Sequence, residues 1–328
     1  MKSKIIRALK YLSFLAAGIF IFWLLYRDQS FSQMEVVLKN DVNYIWVIVP
    51  LAIGLLAHFS RALRWRIMIE PLGHVPSRAN TFMAVMIGYL MNLVFPRLGE
   101  VSRCGVLSRY EKISFPSLVG TVVLERMTDV IMLLLMSVVA IIIEFDKIVG
   151  FWINHPQFQQ KLIATLLSKW LLISLFLFIL FIWIIRRKIF THKIFGKFRE
   201  LWGKIVEGIA TIKTMKKKKE FIFHSIFIWI MYFMMLYTGF FSLKATSGLL
   251  PDAGLTTFVL GSFGMIAPVQ GGIGAWHFMT REALSIYGIA KGPAVIFALL
   301  SHATMTMLII VVGLLCLLAI PLINRKKL

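Results

Sequence analysis

Six stretches of the chain, 8–26, 44–60, 119–143, 169–185, 221–243 and 293–321, are long runs of apolar residues with few charges. A helix that crosses the hydrocarbon core of a bilayer needs about 20 such residues, so each run predicts a spanning helix. The first follows Lys2, Lys4 and Arg7 and continues through Tyr26, Arg27 and Asp28 with no small-x-small cleavage site, which predicts a retained span. Two further apolar stretches are short and broken. Residues 79–95 run into Pro96-Arg97-Leu98-Gly99-Glu100, and residues 254–267 run into Pro268-Val269-Gln270-Gly271-Gly272-Ile273-Gly274. A less hydrophobic arm follows each, 101–118 and 275–290, so each predicts a broken helical hairpin hinged at Pro96 and Gly99 or at Pro268.

Composition agrees with a membrane solvent. Of 328 residues, 59% are hydrophobic and 16% charged, and mean hydropathy is +0.82. An ordinary globular domain is about 25% charged, so too little polar surface remains to cover a soluble globule. Disorder is excluded by the same apolar content. A disulfide scaffold is excluded by a count of two cysteines; Cys104 and Cys316 read as structural.

The 36 basic residues outnumber the 15 acidic ones, for a net charge of +21. Basic residues gather on the cytoplasmic side of membrane proteins. With the N-terminus placed there, 27 of the 36 basic residues fall on that side and 8 on the other, and both termini are expected to be cytoplasmic. The hairpin 79–118 then opens to the cytoplasm and 254–290 to the far side, and each is followed by a long closing span. A hairpin-then-span unit occurring twice in opposite orientation predicts an inverted repeat. Gly/Pro-interrupted segments at corresponding places in two halves point to a transporter's binding site.

Between the halves, Phe198, Leu201, Trp202, Ile205, Ile209 and Ile212 recur at spacings of three and four, with Lys197, Arg199, Lys204 and Lys213 elsewhere. That predicts an amphipathic interfacial helix within 186–220, lying on anionic headgroups. No nucleic-acid-binding module surrounds the basic cluster, so nucleic acid is not an expected partner.

Charges at membrane depth are expensive and mark function or pairing. The densest group is Arg97, Glu100, Arg103, Glu125, Arg126 and Asp129. Glu125 and Asp129 stand four apart on one helix face, and three arginines formally balance three carboxylates. Two readings remain open: a buried ion-pair network tying hairpin to span, or a polar chamber in which arginine forks hold a phosphate. In the second hairpin, Gln270, Gly271, Gly272 and Gly274 precede His277 and Arg281; free backbone N–H groups there suit an anion. His277 and His302 read as core residues or as members of that chamber. No metal-ligand spacing, nucleotide-binding loop or hydrolase motif is present, so neither a cofactor nor catalytic residues are expected.

The elements Pro96-x-x-Gly99-Glu100-x-x-Arg103, Glu125-Arg126-x-x-Asp129 and Pro268-x-x-Gly271-Gly272-x-Gly274, in this order, resemble the lysylphosphatidylglycerol synthase transmembrane region family, also called the flippase-like domain family. The resemblance covers about residues 8–320. It implies an all-α polytopic protein of the bacterial inner membrane, a single flippase-like domain over 1–328. Its first half is 8–143, its linker 186–220 and its second half 221–321. It also implies movement of a lipid headgroup across the bilayer, with an anionic or zwitterionic phospholipid or a lipid-linked glycan as partner. Where many members carry a glutamate after the last glycine, Trp276 and His277 stand here. The aminoacyl-transferase domain of the bifunctional members has no counterpart, so the chain is not expected to be an enzyme. The competing expectations are a non-transporting lipid-binding subunit that supports a partner transferase, and an ion-coupled solute carrier.

Overall fold

A computed structural model describes residues 31–95, 97–145, 215–267 and 269–325, with a few isolated positions besides. Helices α1 (Phe31–Asn40), α2 (Ile45–Ile69), α3 (Arg78–Val94), α4 (Leu98–Glu111), α5 (Phe115–Ile143), α6 (Lys218–Phe240), α7 (Pro251–Ile266), α8 (Ala275–Ile286) and α9 (Lys291–Ile323) follow in order. Single 3-10 turns lie at Glu70–Leu72 and Gln270–Gly272. Among the described residues there is no strand, only an isolated antiparallel bridge between Val42 and Leu243. The chain is all-α.

Four of these helices, those beginning at Ile45, Phe115, Lys218 and Lys291, are long and apolar enough to cross a membrane. Apart from isolated positions, the predicted spans 8–26 and 169–185 lie outside the described residues, as do the amphipathic stretch 194–212, Pro96 and Pro268.

Two predicted boundaries are corrected. The second span was expected to end at residue 60, but α2 continues to Ile69. Arg61 and Arg64 interrupt the hydropathy there, yet both are buried, and Ile67, Met68 and Ile69 behind them are buried as well. The closing span of the first half starts at Phe115, not 119, because Ser114 precedes a Pro in the first helical turn, where a missing N–H costs nothing. The arm before it therefore ends at Glu111.

Contacts between elements sort the helix ends into two groups. At one end of the bundle Lys217 pairs with Glu70 at 3.0 Å. Glu111 accepts from Asn80 Nδ2 at 2.5 Å, and Asn80 and Asn324 exchange hydrogen bonds at 2.9 and 2.8 Å. At the opposite end the Asn43 N–H donates to the Ser242 carbonyl at 2.8 Å, and Tyr287 Oη donates to Thr256 Oγ1 at 2.8 Å. The pair α3–α4 thus opens at the first end and the pair α7–α8 at the second.

Between the ends the two helix breaks meet. Arg97 Nη2 donates to the Ile266 carbonyl at 3.4 Å, and α3 packs on the 270–272 turn. Gly271, at φ +56°, lies so near Leu93 that a Cβ on it would stand 2.8 Å from that side chain.

The packing is crosswise. The central pair is α2 on α6; α9 packs on α3 and α5 packs on α7. Exchanging α2–α5 for α6–α9 leaves this pattern of neighbours unchanged. Partners α2 and α6 run antiparallel, since residues 42–43 meet 242–243 while Ser60 meets His224 at 2.8 Å.

One apolar core joins α5 to α6–α9, with Phe240 and Phe297 edge to face at 5.2 Å. A second joins α2–α5 around Trp65, Met68, Leu107 and Leu118. The outer faces of α5 and α9 leave Ile131, Leu134, Leu315 and Leu318 more than half exposed, a surface suited to lipid rather than water.

Candidate functional site

The charged residues converge where α2, α4 and α5 meet. Glu125, eleventh in α5, is fully buried. It takes Arg103 Nη1 of α4 at 3.0 Å, Arg61 Nε at 3.0 Å and Arg64 Nη2 at 3.7 Å. One turn on, Asp129 pairs with Arg61 Nη2 and with Arg64 Nη2 at 2.6 Å. The spacing of four places both carboxylates on the α5 face that α2 covers. Arg61 and Arg64, three apart on α2, meet them as a pair.

Polar neighbours complete the setting. Tyr89 Oη of α3 accepts from Arg61 Nη1 at 2.7 Å. The Arg103 guanidinium lies over the Trp65 ring, 4.7 Å from its centroid. That indole donates to Thr121 Oγ1 at 2.9 Å, so packing and hydrogen bonding both hold the stack in place.

Arg126 stands about 100° round α5 from Glu125 and leaves the buried group. It pairs with Glu100 of α4 at 3.3 Å and reaches Asp129 at 3.7 Å. Its side chain is 43% exposed, against 0% for Glu125. Beside it a groove of about 590 Å³ runs between α4 and α5, lined by Glu100, Arg126 and apolar side chains including Val123 and Met127.

The expected residues therefore divide. Glu100, Arg103, Glu125, Arg126 and Asp129 are brought together. Arg97 is not among them: it is exposed, has a left-handed backbone (φ 61°) and turns to Ile266 on the other hairpin. The formal balance of three and three is corrected with it. Arg61, Arg64, Arg103 and Arg126 face three carboxylates, an excess of one positive charge among the described residues. Buried ion pairs are stable only when geometry and extra hydrogen bonds offset desolvation. Among the described residues, Nε and Nη2 of Arg103 and Nε of Arg126 have no hydrogen-bond partner.

In the second break, Gly271, Gly272 and Gly274 all have positive φ, a conformation glycine adopts without a Cβ penalty. Gln270 and His277 are buried. The Gly274 N–H donates to His277 Nδ1 at 3.4 Å, so the start of α8 is capped by its own chain. His302 Nε2 donates to the Gly271 carbonyl at 2.8 Å, and the two imidazoles lie 4.5 Å apart. Arg281 pairs with Glu282 and stacks on Phe278 at 5.2 Å. Among the described residues no group of three or more His, Cys, Asp or Glu could hold a metal ion.

Arg61 and Arg64 are what sequence reasoning missed, with the aromatic residues beside them. The available signal was the run Ile67-Met68-Ile69, which continues the apolar pattern beyond the two arginines and keeps them inside the helix.

A helical bundle with an apolar outer face and a network of arginines and carboxylates inside it defines an integral membrane protein with a polar interior. The chain belongs to the family described as the lysylphosphatidylglycerol synthase TM region, which matches residues 11–313. It is similar to a UPF0104 membrane protein of Methanothermobacter thermautotrophicus, 26% identical over 262 residues, 72% of this chain and 73% of the relative. It is also similar to a UPF0104 membrane protein of Methanocaldococcus jannaschii, 27% identical over 146 residues, 41% of this chain and 43% of that one. No solved structure matches.

Proposed function

We propose that the protein is a lipid translocase of the cytoplasmic membrane, a carrier and not an enzyme, which passes a lipid headgroup along the arginine–carboxylate network. The observation that carries this reading is the placement of Arg126. It stands in the middle of a helix long enough to span, joined by ion pairs to a buried network, partly exposed, and lining an apolar groove. A headgroup cannot enter hydrocarbon without partners. Charges that already share partners can exchange them as a headgroup passes, where unpaired arginines would hold it too tightly.

Membership of a lysylphosphatidylglycerol synthase transmembrane family supports a lipid-related role. In this reading α3–α4 and α7–α8 are re-entrant hairpins that enter from opposite faces, in an inverted repeat with six spans. Their meeting point, with Arg97 on one side and Gln270, Gly271, Gly272, Gly274 and His277 on the other, is the hinge about which access alternates. Arg66, Arg78, Arg109, Lys112, Lys216–Lys219 and Arg325 follow the end of the bundle marked by Glu70 and Asn324, while Lys39, Lys244 and Lys291 follow the other. The basic end faces the cytoplasm.

The test is headgroup translocation of fluorescent lipids in proteoliposomes, with lipid sidedness compared in deletion and complemented cells. Movement that depends on the protein and falls in Arg126→Lys, with expression and stability unchanged, supports the reading. Unchanged sidedness, with loss of a lipid product and co-purification of a transferase, would replace it with a lipid-binding subunit.

A further inference from the structure

The groove between α4 and α5 and the excess positive charge behind it belong together. Apart from Glu100 and Arg126, the wall of the groove is apolar. Val101, Val123, Met127 and Val130 on it are all more than a third exposed. Such a wall gives a soluble anion no partner besides Arg126, but it gives a hydrocarbon chain an apolar surface.

Charge decides what accompanies the chain. Glu125 and Asp129 are held by Arg61, Arg64 and Arg103, all deep in the bundle. Arg126 has Glu100 at 3.3 Å and only a long contact, 3.7 Å, to Asp129. The network's extra positive charge thus sits with Arg61, Arg64 and Arg103, which share two carboxylates, and Arg126, tied to that group through Asp129, is the arginine among the described residues that lines the groove. A zwitterionic headgroup brings no net charge to offset it; a headgroup with one net negative charge does.

We propose that the α4–α5 groove is the lateral port through which the bundle takes up a lipid with a net anionic, phosphate-bearing headgroup. Its acyl chain lies against Val123 and Met127, and its phosphate rests on the guanidinium of Arg126. This lipid class narrows the translocase reading and rests on it for the onward path. Uptake at the groove is a binding event and can be measured without transport. The Arg126 fork matches two phosphate oxygens, and its long contact to Asp129 is the one it releases to receive them.

The test uses purified full-length protein in nanodiscs of equal parts phosphatidylglycerol and phosphatidylcholine, followed by detergent extraction and mass spectrometry of retained lipid. Wild type is expected to retain phosphatidylglycerol at least fivefold over phosphatidylcholine. Arg126→Gln should bring that ratio close to one while lipid is still retained. Val123→Trp and Met127→Trp, which fill the groove from exposed positions, should lower retention of both lipids with an unchanged elution profile. Equal retention of the two lipids by wild type would overturn the proposal. So would full retention in both tryptophan variants, or displacement of phosphatidylglycerol by millimolar inorganic phosphate, which would mark a soluble-anion site. Selective retention without any translocation would leave this port standing and remove the translocase reading. Normal translocation in the groove-filled variants would do the reverse.

Discussion

Gly99 in the first turn of α4 lies directly against the carbonyl of Gly88 in α3, so close that neither position has room for a side chain: a Cβ on Gly88 would stand 2.9 Å from the Gly99 carbonyl oxygen. The Gly99 N–H meanwhile donates to Asn92 Oδ1 at 2.7 Å. Backbone contact, not side-chain packing, sets the angle of the first hairpin. Gly99→Ala should destabilise the protein by about 1–3 kcal/mol through overpacking, read as a lowered thermal midpoint in detergent. Gly105→Ala, on the same helix with open space around it, should be neutral or slightly stabilising. Equal midpoints for the two variants would contradict the contact.

Glu125 is the partner of three arginines, so its removal leaves buried cations without an anion. Glu125→Ala should cost about 3–5 kcal/mol, measured by denaturant titration of the purified protein. Combining Glu125→Gln with Arg103→Gln removes one charge of each sign and should recover part of the loss of Glu125→Gln alone. A double variant as unstable as the sum of the two singles would show that Arg103 and Glu125 are not coupled.

Arg126→Lys separates fold from function. The side chain is 43% exposed, so the stability change should stay within about 1 kcal/mol. A lysine keeps the charge but loses the two-pronged donor geometry. Translocation in proteoliposomes should fall about tenfold, the equivalent of roughly one charge-assisted hydrogen bond. A normal rate with normal expression would assign the residue a structural role.

Membrane topology follows from the grouping of helix ends. Cysteines at Lys112 and Lys217 should react with an impermeant thiol reagent from the cytoplasmic face, and cysteines at Lys244 and Lys291 from the opposite face. The native Cys104 and Cys316 are both buried and supply little background. Labelling of position 112 from the face opposite to position 217 would mean that the first hairpin spans and does not return.

Much of this architecture could be read from the sequence because the bilayer imposes a strong pattern. The apolar runs at 119–143, 221–243 and 293–321 became α5, α6 and α9 with ends moved by a few residues. The breaks at Gly99 and at Gly271–Gly274 were visible because glycine is needed where backbone φ is positive or another backbone presses close. The partners of Glu125 were less legible. An arginine at a helix end looks the same in sequence whether it reaches out to headgroups or back into the bundle, and Arg61 and Arg64 follow an apolar run as a cytoplasmic flank would. Only the antiparallel packing of α2 on α6 and the placement of α5 beside them turn the two inward. The placement of Arg97 was hidden for the opposite reason. It is near Glu100 in sequence, but the left-handed backbone at its position turns it from the α4 face that carries Glu100 and Arg103.

The ion pairs between α2 and α5 join residues as far as 68 positions apart, and that separation sets an order of events at the ribosome. Helix α2 leaves the exit tunnel with Arg61 and Arg64 well before Asp129 is synthesised. Its counter-ions Glu125 and Asp129 arrive with α5, and its central neighbour α6 later still in the same polypeptide. Until then headgroups, water or the interior of the insertion machinery must satisfy the two guanidinium groups, because hydrocarbon does not. Release of the first half into the bilayer is therefore tied to delivery of the later helices. Premature termination after α2 should leave a product held at the insertion machinery and cleared by proteolysis, not a stable fragment in the membrane.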